Sequence, residues 1–343
     1  AAAAAAAAGY PNVPDPAQIW GSPEVKDDNK LVMNLGFSGE SVEFYLFGNY
    51  AKRETDGGFY YRNPTTRGGV YSNDGGQTLL VGSPSGNTTC PTIPLRTAAG
   101  ALIPYATVAA QVAALPGDCF TFLEVFTGGF TPRFGGEMTD SALTGGLKGS
   151  WRGDWYWDLS ASYGRNEIDF FMYNTVNASL GPNQPAGFFF RPGGNEQTET
   201  NVNFDVSKSF DRFHLAAGAE LRNEEFEIRA GDTASTAIGP LTSQGFSIGS
   251  NGFPGFNQQT EGEFDRDSWA IYADLESQVT DNFLVAGAVI IENKSFPDRS
   301  VIFGSPAKAV REVSEDNLIR MRESAGDYVK RGIQFRKDLK RIG

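Results

Sequence analysis

From Lys30 onward the chain alternates. Leu31, Met33, Leu35 and Phe37 occupy every second position, with Val32, Asn34, Gly36 and Ser38 between them. A period of two predicts a strand, because successive side chains leave opposite faces of an extended backbone. After the turn Ser38-Gly39-Glu40-Ser41, Val42, Phe44, Leu46, Gly48 and Tyr50 form the next apolar face, opposite Glu43, Tyr45, Phe47, Asn49 and Ala51, which completes a hairpin. The clearest strand runs from Asp154 to Phe170: Trp155, Trp157, Leu159, Ala161 and Tyr163 share one side, and it follows Ser141–Trp151 through Arg152-Gly153. Val202, Phe204 and Val206 alternate next, then Phe213, Leu215, Ala217, Ala219 and Leu221. Trp269, Ile271, Ala273 and Leu275 lead through Thr280-Asp281-Asn282 into Phe283–Val289. The pattern predicts eight strands in four hairpins.

The connections carry as much information as the strands. Within hairpins they are a few residues long, whereas between hairpins they run roughly 54 to 138, 171 to 196 and 230 to 266. Short turns at one end and long loops at the other is the asymmetry of an outer-membrane barrel, while loops in compact soluble domains are mostly short. About ten tilted residues cross a bilayer as a strand, and these strands are long enough. Trp151, Trp155 and Trp157 beside a short turn suit an interfacial aromatic girdle, or alternatively a core cluster in a soluble sheet.

Composition agrees with a β protein: 41 Gly, 26 Phe and 12 Tyr among 343 residues favour strands and turns. No run of 18 apolar residues predicts a transmembrane helix, a test that alternating strands evade. Net charge is −12; the last 54 residues hold 12 basic against 8 acidic side chains, so the tail is +4 and the remainder −16. An acidic body of this kind excludes nucleic-acid binding, which needs a basic footprint. Ala1–Ala8 lacks the parts of a signal peptide and reads as a tag or as unidentified residues written as alanine.

Candidate chemistry is sparse. Cys90 and Cys119 fall in turn-like sequence within the longest loop; an oxidising compartment would join them, and a reducing one would leave two thiols. The single histidine, His214, sits on a polar strand face, which leaves no partner for Ser-His-Asp catalysis and no histidine set for a metal. Glu224 and Glu225, and Asp265 and Asp267, are acidic pairs that read first as solvated loop charge. Gly252–Gly255 lacks the strand-to-helix context of a phosphate loop. No catalytic residue, metal ligand or cofactor site is assigned, the chain is expected not to be an enzyme, and its ligand-binding residues are left unassigned.

Several phrases bear a family likeness. Phe47-Gly48-Asn49-Tyr50-Ala51, Gly57-Gly58-Phe59-Tyr60-Tyr61-Arg62-Asn63-Pro64, Gly128-Gly129-Phe130-Thr131-Pro132-Arg133-Phe134-Gly135-Gly136, Ser162–Asn166, Tyr173–Pro182 and Asn251-Gly252-Phe253-Pro254-Gly255-Phe256 resemble TonB-dependent outer-membrane receptors across about residues 10 to 289. The resemblance implies a 22-stranded barrel around a plug, driven by a periplasmic energy-coupling protein, that takes up scarce nutrients such as metal chelates, vitamins or glycans. No stretch here resembles the plug, the coupling box or the terminal aromatic strand, so the chain is expected to supply only a segment of such a transporter.

A second likeness begins after Val289. Ser295–Lys308 resembles the last coil of γ-class carbonic anhydrase-like, left-handed β-helix (hexapeptide-repeat) proteins. The helix expected after it has Ser314 as cap, Glu315 and Asp316 in its first turn, and Leu318, Met321, Ala325, Tyr328, Gly332, Phe335 and Leu339 at three-and-four spacing. Leu284–Val289 suits either family, and the chain reads as a composite joined there.

The expected architecture is therefore mainly β: an N-terminal segment (1–29), antiparallel outer-membrane β-barrel hairpins with long external loops (30–289), and a β-helix end coil with a C-terminal α-helix (290–343). The expected role is nutrient uptake in the bacterial outer membrane, with membrane lipid, a coupling protein and an unidentified nutrient as partners. A γ-carbonic anhydrase-like trimer without a zinc site and a soluble β binding or structural protein are the alternatives.

Overall fold

The structure, a computed structural model, describes residues 1–19, 23–152, 154–280, 283–291, 300–303 and 308–312, with side chains described through residue 277. Eight strands form one antiparallel sheet: β1 (Glu24–Ser38), β2 (Val42–Gly58), β3 (Arg133–Trp151), β4 (Trp155–Tyr173), β5 (Phe190–Ser209), β6 (Phe213–Ala230), β7 (Gly262–Thr280) and β8 (Phe283–Ile291). Each pairs with the next in sequence, so the sheet is a meander. It is open: among the described residues the outer edges of β1 and β8 have no partner strand.

All eight strands expected from the alternation are present, and their far ends run further than expected. The long connections shrink to 59–132, 174–189 and 231–261, because the strands continue beyond the apolar stretch. Glu224, Glu225, Asp265 and Asp267 accordingly lie on β6 and β7 and not in loops. The junction segment 283–291 is the eighth strand, with Ala286 opposite Glu276 and Ile291 opposite Ile271. In the tail, Ser300–Phe303 pairs antiparallel with Lys308–Glu312, and the helix expected near 314–339 lies outside the described residues.

The buried core is not under the sheet. It is gathered in the loops, where Tyr71, Ile93, Leu95, Val108, Phe122, Phe130, Val176, Leu241 and Phe246 form one cluster. These loops build a cap with its own small elements: Thr78–Leu79 pairs with Ile93–Pro94, and helix α2 (Tyr105–Ala113) buries Val108. The alanine run forms helix α1 (Ala2–Ala7), which buries Ala5 in the same cluster, and the Tyr105 amide donates to the Ala8 carbonyl (2.9 Å). Phe134 and Phe170, on one face of β3 and β4, meet Phe253 of the cap with ring centroids 5.3 Å away in each case, which fastens the cap to the sheet.

Disulfide Cys90–Cys119 staples the cap, with the two Cα atoms 5.7 Å apart. A bridge closing a segment of this length stabilises it by about 3–4 kcal/mol, chiefly by restricting the open chain.

Candidate membrane-facing surface and inner wall

Pairing register assigns every side chain on β1–β7 to one of two faces. The first face carries Leu31, Met33, Leu35 and Phe37 of β1, Val42 to Tyr50 of β2, Leu143 to Trp151 of β3, Trp155 to Tyr163 of β4, Val202 to Val206 of β5, Phe213 to Leu221 of β6 and Trp269 to Leu275 of β7, counting alternate residues. Nothing in the described chain packs on it. Phe37 is 74% exposed, Leu31 67% and Leu221 63%. Burying such groups is worth roughly 25 cal/mol per Å² of apolar surface, so a continuous exposed band of this extent marks a surface built for a non-aqueous neighbour.

The band has two sharp limits, and both run obliquely across the strands. On β2 the apolar stretch ends at Tyr50; the residue in register with Leu221, where it ends on β6, is Leu46. On β2 it starts at Val42; Ala217 is in register with Val42, yet on β6 the stretch starts at Phe213. Each limit thus shifts by four residues, about 13 Å along the strand, across four inter-strand spacings of about 4.8 Å. Between β2 and β6 the two limits are parallel and inclined by about 35° to the perpendicular of the strands, whereas on β7 the upper limit stays level, with Trp269 opposite Leu221, and the lower one moves back to Leu275, opposite Leu215. From Trp155 to Tyr163 the band covers eight steps of strand, about 26 Å, or about 20 Å in height once tilted.

Aromatic side chains crowd its lower limit. Trp151 and Trp155 face each other across the short turn, Lys208 Nζ lies 5.7 Å above the Trp155 ring and 5.1 Å above Phe210, and Phe210 stacks on Phe213 at 4.4 Å. Above the upper limit the same face becomes ionic. Glu167, Glu196 and Glu227 sit side by side on β4, β5 and β6, clamped by two arginines. Arg165 Nε donates to Glu196 (2.6 Å), its Nη2 pairs with Glu167 (2.8 Å), and Arg229 reaches Glu167 (2.9 Å), Asp169 (2.8 Å) and Glu196 (3.1 Å). Three like charges in a row repel, and the guanidiniums offset that by bridging neighbouring strands.

The second face is a polar wall. Tyr45 donates to Asp158 (2.6 Å), Tyr272 to Asp205 (2.8 Å), and Lys148 pairs with Glu43 (3.1 Å) while lying 5.6 Å above the Tyr45 ring. Both tyrosines cross a glycine to reach their carboxylate: a Cβ on Gly146 would meet the Tyr45 ring at 2.4 Å, and one on Gly218 would meet the Tyr272 ring at 2.4 Å. Farther along, Asn49 and Asn166 donate to Asp140, Arg222 donates to Asn201 (2.9 Å), and Arg266 holds Glu224. His214 is on this wall at the edge of the β5–β6 turn, its Nδ1 2.9 Å from Ser209 Oγ. It borders a cavity of about 670 Å³ shared by side chains from β2 to β7, among them Glu43, Lys148, Asp158, Asp205 and Tyr272, so the wall is concave here.

Residues singled out from the sequence end up in separate places. Trp151, Trp155 and Trp157 lie on the apolar face, His214 on the polar wall, and Cys90 and Cys119 in the cap. Period two splits Glu224 from Glu225: the first pairs with Arg266 on the wall, and the second accepts from Thr198 on the other face. Asp265 and Asp267 share the outer ionic belt, where Asn223 donates to Asp267 (3.0 Å).

The cap has its own electrostatics. Asp118 accepts from the hydroxyls of Ser83 and Ser85, the latter at 2.6 Å, and these bonds hold its carboxyl down at about 2. Thr78 binds Asp74 by hydroxyl (2.6 Å) and amide (3.0 Å), which keeps that carboxyl well below the usual range. Burial pushes Tyr61 up to about 12 and lowers Arg62 to about 10, with the neighbouring Arg67 adding to the second shift. No helix among the described residues is long and apolar enough to cross a membrane. Neither a protein-family model nor a curated protein matches the chain.

Proposed function

We propose that residues 24–291 are a wall segment of an outer-membrane β-barrel receptor of TonB-dependent type, serving nutrient uptake in the bacterial outer membrane. The oblique band carries this reading. Strands of membrane barrels tilt by about 35–45°, so a level slab of lipid, drawn on the unrolled sheet, appears as a stripe inclined by that angle. The inclination of about 35° and the parallel limits between β2 and β6 fit such a slab, and a sheet packed in a soluble sandwich has no reason to end its apolar face along a slanted line.

Other observations support the same assignment. Trp151 and Trp155 sit at the lower limit of the band and Trp269 at its upper limit, the charge clamp lies beyond the upper limit, and the long loops cap the latter end. The polar wall with its tyrosine–aspartate pairs faces the lumen, where a nutrient passes. The free edges of β1 and β8 would each leave a row of backbone groups unsatisfied in lipid at several kcal/mol apiece, so in this reading further strands pair there and close the barrel. A periplasmic coupling protein supplies the energy.

Extraction of membranes from cells making the full chain tests the reading. The chain is expected to stay in the outer-membrane fraction through high salt and to leave with detergent. Release by salt alone overturns it.

A further inference from the structure

Arg62 and Arg67 sit where the loop 59–132 meets the loop 231–261. The Asn63 carbonyl accepts from the Arg67 amide (3.1 Å), and the Asn63 side chain accepts from the Thr65 amide (2.8 Å) and hydroxyl (2.7 Å), a tight turn that brings the two arginines together. Arg62 is 6% exposed, and Nε of both arginines is buried without a hydrogen-bond partner. Arg67 Nη2 donates to Asn251 Oδ1 (3.0 Å), and Asn251 is itself buried and held by Ser247 (3.4 Å). No carboxylate among the described residues acts on either guanidinium, and the one charge acting on Arg62 is that of Arg67.

That arrangement stands apart from the rest of the molecule. Arg133 is paired with Asp56, and Arg165 and Arg229 with several carboxylates each. A protein with net charge −12 has acids to spare, yet buried Arg62 and half-buried Arg67 stand unneutralised beside one another. An uncompensated buried charge is destabilising, and the cost is recovered when an anion fills the place.

We infer that Arg62 and Arg67 form a binding site for a small oxyanion, a carboxylate or phosphate group, held by the planar fork of one guanidinium and the charge of the other. The site lies in the cap and does not depend on the sheet being in a membrane.

Calorimetric titration of the full folded chain in detergent, with sodium phosphate in one arm and sodium citrate in the other at constant ionic strength, tests it. Saturable binding of one anion per chain is expected in at least one arm; binding in the phosphate arm alone assigns a tetrahedral ligand, and in the citrate arm alone a carboxylate. R62M and R67M should each weaken binding at least tenfold. R67K, which keeps the charge and loses the fork, should weaken it to a lesser degree and serves where a methionine variant does not fold. Without anion, R62M should melt at a higher temperature than the parent, because an unpaired buried cation has been removed; a purely structural arginine would give the opposite. Absence of saturable heat in both arms, or parental affinity in the R62M/R67M double variant, overturns the inference.

Discussion

Tyr163 and Arg165 are neighbours on one face of β4, and between them that face changes from apolar to ionic. Tyr163 is 47% exposed with no carboxylate beside it, whereas Arg165 is bound to Glu167 and Glu196. In the proposed reading, a single step of the pleat separates lipid from water.

That step gives the first prediction. Ala161 lies within the band and Thr198 above it, and both point outward. Ala161→Arg should cost about 2–4 kcal/mol in phospholipid vesicles, because a charge near the bilayer interior is expensive, and Thr198→Arg about 0–1 kcal/mol. Urea unfolding of both variants in vesicles, followed by tryptophan fluorescence, measures the difference. Equal costs at the two positions would speak against a lipid boundary between them.

The disulfide gives the second. Cys90→Ser with Cys119→Ser should destabilise the cap by about 3–4 kcal/mol while leaving the strand register intact. Hydrogen exchange should therefore speed up in residues 78–125 and stay unchanged in β4 to β6. Equal acceleration throughout would mean that cap and sheet unfold as one unit.

Asp118 gives the third. Its carboxyl titrates at about 2 when folded, below an ordinary aspartate near 3.8, because the Ser83 and Ser85 hydroxyls bind the charged form. A lowered folded value means that the contribution to stability is fully present above pH 4 and is lost as pH falls from 4 towards 2. Asp74, also lowered, adds to the loss in the same direction. Proteolysis of the cap by pepsin should rise steeply over that interval, and Asp118→Asn should flatten the rise while making the cap weaker at pH 7.

The strands were legible where one face was apolar. Leu31–Phe37 and Trp155–Tyr163 show the period of two directly, because large apolar side chains recur at every second position. The strand ends were harder to place, for a physical reason: past Tyr163 the outward positions turn to Arg165, Glu167 and Asp169 while the inward ones turn to Ile168, Phe170 and Met172. Alternation persists with its sign reversed, and on β5 the run Asn195–Asn201 is polar on both faces. The cysteine pair could be read as a candidate bridge from its surroundings. Arg62 stood inside a noticed phrase, yet nothing local says that a guanidinium will lack a partner, and the neighbouring Arg67 finds its partner, Asn251, 184 positions away.

The bond from Arg67 to Asn251 spans 184 positions, whereas each strand of the sheet pairs with its neighbour in sequence. Neighbouring strands meet after closing short turns or one of three longer loops, the longest of which, 59–132, the cap's own disulfide shortens. The cap's long-range contacts require β3 to β6 to be laid down first, since only their register brings the loops 59–132 and 231–261 together, and loop-closure entropy opposes the meeting beforehand. These separations favour assembly hairpin by hairpin, with the cap closing last. The junction of Arg67 with Asn251 is thus a bond that depends on the register of the whole intervening wall.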